Sequence, residues 1–151
     1  GSTAAISTVA IVALGTGMGI GRWYGGLWLK RLALDNQLQM IIALQFLGFL
    51  GFWLSHNMVL SLICLLVVGL GISMQFALSS IRLIGLSDGR PDLAIGRASF
   101  AAGVAIAGAP FLLGLLGDSF GISRAYIMVF VLIAIAFVIV KVIPSHVKEN
   151  A

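Results

Sequence analysis

Between Thr3 and Gly21 the chain carries no charged side chain, and four more uncharged apolar stretches follow it: Leu38 to Ser55, Met58 to Ile81, Ala98 to Gly117 and Ala125 to Val140. A helix needs about 20 predominantly apolar residues to cross a hydrocarbon core, because lipid offers the backbone no hydrogen-bond partner. The fifth stretch is the shortest, but Arg124 and Lys141 flank it and their long stems can reach the two interfaces. None of the five shows the alternation of a membrane barrel strand. The pattern therefore predicts an all-α, polytopic membrane protein with five transmembrane helices, spanning residues 3–21, 38–55, 58–81, 98–117 and 125–140.

Composition narrows the reading further. Hydrophobic residues make up 60% of the 151 residues and charged ones 9%. That is too few charges to cover a water-soluble exterior, so the bilayer is the expected partner of most of the surface. The formal charge of +4 does not point to nucleic acid, because the cations are scattered between apolar runs and not gathered on one solvated face. Cys64 is the only cysteine, which excludes an internal disulfide and a cysteine-based metal site. His56 and His146 have no companion ligands at metal-binding spacing, so no metal and no cofactor is expected. The "GTGMG" run at 15–19 is G-x-G-x-G, not the dinucleotide fingerprint, and no glycine loop is followed by a GK[ST] triplet. The N-terminus has neither an initiator Met nor a charged region ahead of its apolar stretch, so no secretory signal is read there.

The cations set the expected orientation. If the N-terminus lies outside the cell, then the connection between the first and second stretches, the connection between the third and fourth, and the C-terminal tail are cytoplasmic. They hold Arg22, Lys30, Arg31, Arg82, Arg90, Arg97, Lys141 and Lys148 out of 9 Lys and Arg, leaving Arg124 outside. On this reading "GRWYGGLWLKRL" (21–32) is a cytoplasmic helix end, with Trp23, Tyr24 and Trp28 at headgroup depth and Lys30 and Arg31 in water. The expected location is the plasma or inner cell membrane.

Helix faces suggest which spans lie inside. The first places Ala4, Thr8, Gly15, Gly19 and Arg22 on one side, and the third aligns Gly71, Gln75, Ser79 and Arg82. The fourth carries Ser99, Gly103, Ala107, Pro110, Gly114 and Gly117 in a narrow seam, and a mid-helix proline frees a carbonyl that neighbouring protein or water must satisfy. These three read as interior helices. The second and fifth, large and apolar apart from Gln45 and the Gly48/Gly51 pair, read as lipid-facing. Small-residue seams pack helices together more often than they line a pathway, and a membrane-buried Gln75 is either an interhelical tether or a ligand contact.

These residues resemble the major facilitator superfamily of secondary transporters, in particular the last five of its twelve helices. "GIGRWYGGLWLKRL" (19–32) is similar to the C-terminal-half copy of the superfamily's cytoplasmic signature loop, with Gly21 at its first glycine, Arg22 beside it, Gly25 at its acidic position and Lys30–Arg31 as its closing basic pair. "GVAIAGAPFLLGLLGDSFG" (103–121) resembles the eleventh helix and the turn after it through Gly108, Pro110, Gly114, Asp118 and Gly121. "GLGISMQF" (69–76) resembles the tenth helix, and "GRPDLAIGRASFAAG" (89–103) the approach to the eleventh. The resemblance implies that residues 1–151 are part of a C-terminal six-helix half, completed by an N-terminal half, and that the whole moves a small solute by alternating access. Under that reading Thr8, Ser73, Gln75 and Ser79 are the pathway candidates. Gly103, Gly108, Pro110 and Gly114 are the packing or hinge candidates. No Asp, Glu or His lies at bilayer depth, so proton coupling would reside outside this chain. Enzyme activity is not expected. The alternatives are a lipid-modifying enzyme using Asp88, Asp92 and Arg97 of the 82–97 loop, and a small membrane scaffold of five spans.

Overall fold

A computed structural model describes residues 2–28 and 32–143 of the chain. Every regular element among them is helical: α1 (Ser2–Trp28), α2 (Leu34–Leu54), α3 (Met58–Gly85), α4 (Pro91–Phe120), α5 (Ile122–Ala125) and α6 (Ile127–Val142). Five segments are long and apolar enough to cross a membrane, Ala4–Gly25, Leu34–Leu54, Met58–Gly85, Pro91–Phe120 and Ile122–Val142. The last of these joins α5 and α6. Large apolar side chains stand open along these segments, among them Ile11, Phe100, Ile106 and Ile122, each at least 70% exposed. In water each would carry an unfavourable hydration cost, and in lipid it meets its own kind. The protein is a multi-pass α-helical membrane protein.

The spans run beyond the uncharged stretches at several ends. Asp35, Asp92 and Arg82 fall inside terminal helical turns, where a carboxylate near an N-terminus and a guanidinium near a C-terminus complement the helix dipole. The short "SHN" connection is closed by side chains. Asn57 accepts the Val59 backbone N–H through Oδ1 at 2.9 Å and so caps α3, while its own N–H donates to Ser55 Oγ at 3.2 Å. The α3–α4 connection turns through two residues with positive φ, Asp88 at 48° and Gly89 at 81°, and Pro91 then starts α4 at a position where its missing N–H costs nothing.

The chain divides into two compact units within α3, one up to Ser79 and one from Ser80. In the first, α3 packs against both α1 and α2. A Cβ at Gly17 of α1 would strike the Leu66 carbonyl, one at Gly21 would come 2.7 Å from the Leu70 carbonyl, and one at Gly25 would come 2.6 Å from Met74 Sδ. These three pairings advance together along both helices, so α1 and α3 run parallel. The approach is reciprocal, because a Cβ at Gly69 of α3 would strike the Leu14 carbonyl of α1. On the other side, Gly51 faces Cys64, Gly48 faces Val68, and Gln45 lies on Gly71. Here one number rises as the other falls, so α2 is antiparallel to α3. Three successive crossings of one bilayer require this alternation.

Burial within each unit falls differently from the expected order of interior and lipid-facing spans. The second span, expected outside, buries Leu38, Ile41, Ile42, Gln45, Gly48 and Phe49. The fourth, expected inside, has no buried residue, and a Cβ at Gly103, Gly108 or Gly114 would meet nothing within 4 Å. The reason is local. Close approach is decided by where a small residue on one helix meets a backbone or small residue on the next, a pairing that the composition of a single helix does not contain.

In the second unit, α4 continues through Pro110 and ends at Gly121, whose φ of 85° breaks the helix while its N–H still donates to the Gly117 carbonyl at 2.9 Å. The end of α3 is joined to the end of α6, where the Arg82 guanidinium donates to the Ile143 carbonyl. That bond satisfies a carbonyl the helix itself leaves open.

Candidate functional site

The first unit holds a recess of about 520 Å³ between α1 and α2 with α3 as its floor. Ile20, Gly21, Tyr24 and Gly25 form the α1 wall, Met40, Ile41, Leu44 and Leu47 the α2 wall, and Leu70 and Met74 the floor. The glycine seam explains why the cavity exists. Gly21 and Gly25 hold α1 tightly on α3 but offer no side chain to fill the angle between α1 and α2. Ile41 and Met74 close its base as a small buried cluster with Leu32, Leu70 and Leu78 packed on it.

Its chemistry is one-sided. The lining is aliphatic and thioether except for Tyr24, whose ring and hydroxyl stand at the end of α1 and are half exposed. A cavity of this size holds a small organic molecule, and with a single hydroxyl for direction it favours an apolar or amphipathic one. Met40 and Met74 lend adaptable, polarisable walls of the kind used where the occupant varies.

The pathway candidates are not gathered around this cavity. Thr8 is exposed and its hydroxyl donates to the Ala4 carbonyl at 3.0 Å, thirteen residues and roughly 20 Å along α1 from Gly21. Ser73 is buried in the α1–α3 seam, where Gly21 makes room for its Oγ and the hydroxyl donates to the Leu70 carbonyl at 3.0 Å. Gln75 is half-buried and Ser79 exposed. The deeply buried amide of the unit is instead Gln45, 5% exposed, seated on Gly71. The sequence places Gly71 on the face of the third span that also carries Gln75 and Ser79, and does not pair it with Gln45.

Of the signature-like residues, Gly21, Arg22 and Gly25 lie inside α1 and not in a loop, because the helix runs on to Trp28. Gly21 and Gly25 are buried packing positions and Arg22 is exposed. Lys30 and Arg31 lie outside the described residues. The expected α1 stripe of Gly15 and Gly19 is exposed and open, and the packed stripe is Gly17, Gly21 and Gly25. Of the fourth-span candidates, Gly103 and Gly114 are exposed, Gly108 is half-buried and Pro110 is exposed. Asp88, Asp92 and Arg97 are exposed at the α3–α4 connection, and the described residues hold no group of three His, Cys, Asp or Glu side chains placed to share a metal.

No family model, curated protein or solved structure matches this chain.

Proposed function

We propose that the chain is part of a secondary transporter of the major facilitator type, one that carries a small apolar or amphipathic solute by alternating access. The observation that carries the reading is the cavity of about 520 Å³ framed by α1, α2 and α3 in a protein of five membrane-spanning helices. The resemblance of residues 19–32, 69–76 and 89–121 to that superfamily supports it, as does the gathering of cations at the ends expected to be cytoplasmic. The N-terminal end of α1 then faces outward and the α3–α4 connection faces the cytoplasm. Any coupling proton is carried by groups outside this chain, since the acidic side chains within its spans, Asp35, Asp92 and Asp118, sit in the end turns of α2 and α4.

Filling the cavity tests the reading. In proteoliposomes holding the full-length protein, Leu44→Trp should reduce solute flux about tenfold by occupying the binding volume, while Ala105→Trp on the exposed face of α4 leaves flux within twofold, about 0.4 kcal/mol. Flux unchanged by Leu44→Trp in a folded protein refutes the cavity as the solute site. Proton-coupled uptake that is abolished by Asp35→Asn, Asp92→Asn or Asp118→Asn refutes the assignment of coupling elsewhere.

A further inference from the structure

The second unit has a recess of a different kind, about 630 Å³, between the end of α3 and the beginning of α4. Its apolar wall is built by Leu83, Leu86 and Leu93, and its polar edge by Arg90 and Arg97 with Asp88 at the rim. Arg90 caps the start of α4, Ala94 and Arg97 follow within its first two turns, and all three line the recess, with a methyl group between the two arginines in the chain. The seven-residue step, nearly all of it helical, sets the two Cα atoms roughly 10 Å apart, a gap that two extended arginine side chains can close from both ends.

Among the described residues neither guanidinium has a hydrogen-bond or ion-pair partner, and both arginines are exposed. The Ser87 hydroxyl, which also lines the recess, donates to the Ile84 carbonyl at 2.6 Å. The side-chain donors left to face the recess are therefore the two arginines. Formally, two guanidiniums and the Asp88 carboxylate leave one positive charge in the recess. Asp92, in the first turn of α4, does not line it but shares a smaller adjoining recess with Gly89, Arg90 and Leu93.

A single surplus positive charge, two unpaired guanidiniums and a leucine wall, all at the water-side end of two membrane-spanning helices, match one ligand chemistry. We propose that this recess binds the phosphodiester of an anionic phospholipid, with Arg90 and Arg97 on its phosphate and the acyl chains passing along Leu93 toward the bilayer. Guanidinium suits the role because its planar fork pairs with phosphate oxygens in two parallel hydrogen bonds. A lone charge complements a phosphodiester better than a dianion, and the leucines reward a ligand that brings hydrocarbon with it. This site is separate from the cavity of the first unit and stands or falls without it.

The test is lipid binding to the purified full chain in neutral detergent, followed by native mass spectrometry with titrated phosphatidylglycerol, phosphatidylcholine and inorganic phosphate. Phosphatidylglycerol should bind tightest, and Arg90→Gln and Arg97→Gln should each weaken it about fivefold. Arg124→Gln, at an exposed cation outside the recess, should leave it unchanged. Ala94→Glu gives an independent check, since a carboxylate near a helix N-terminus does not disturb folding yet occupies both guanidiniums and should weaken binding at least as much. Equal binding of phosphatidylcholine and phosphatidylglycerol, or wild-type affinity in both the double Gln variant and Ala94→Glu, overturns the proposal. Inorganic phosphate that displaces the lipid at equal concentration also overturns it, by showing a site for the free anion.

Discussion

The two units use the same residue for opposite ends. In the first, Gly17, Gly21, Gly25 and Gly69 each stand where a Cβ would press on a neighbouring helix, so glycine there is a condition for contact. In the second, Gly103 and Gly114 lie in the small-residue seam of α4 and Gly108 on another face, and a Cβ at any of them would meet nothing within 4 Å. Glycine spacing along one helix thus marks a surface that permits close approach. Whether approach occurs depends on what the facing helix presents.

The largest effect expected from that contrast is at Gly17. Gly17→Val drives a branched side chain into the Leu66 backbone, which has no freedom to move aside, and should cost about 3 kcal/mol or more. Gly103→Val should change stability by less than about 0.5 kcal/mol. Thermal unfolding in detergent measures both, and equal losses would erase the distinction between the units. Next comes the Gln45–Gly71 contact. Gly71→Ala pushes on the flexible Gln45 side chain, so Gln45→Ala should relieve part of the cost, with a favourable coupling of about 1 kcal/mol in a double-mutant cycle. Additive losses would mean that the two helices separate as a whole. Replacing Gly121, whose φ of 85° disfavours any side chain, by Ala should cost about 1 kcal/mol and locate the effect in the second unit. The smallest effect is at the cap of α3, where Asn57→Ala removes the bond to the Val59 N–H and should cost about 0.5–1 kcal/mol, read most directly as faster amide exchange in the first turn.

The five spans were legible because charge and length in a bilayer are nearly a one-dimensional code. Several span ends shifted to take a carboxylate or guanidinium into a terminal turn, as Asp35, Asp92 and Arg82 show. The packing faces were not legible, and α1 shows why. It carries two interleaved glycine stripes, 15/19 and 17/21/25, each at helical spacing and turned from the other by about 200°. Nothing within α1 chooses between them. The choice is made on α3, by Gly69 reaching Leu14 and by the Leu66 and Leu70 carbonyls, which lie far along the chain. The cavity escaped notice for the same reason: it is the volume that Gly21 and Gly25 leave empty, and Tyr24 alone among its polar-capable residues stood out beforehand, as a headgroup anchor.

Only Ser55, His56 and Asn57 separate α2 from α3. A link that short ties the fate of the pair during biosynthesis: once α2 begins to thread into lipid, α3 must follow as the returning arm of the same hairpin. Because the link holds no Lys, Arg, Asp or Glu, dragging it across the hydrocarbon meets a low barrier, and the two arms arrive already aligned for Gly48, Gly51 and Gly71 to mesh.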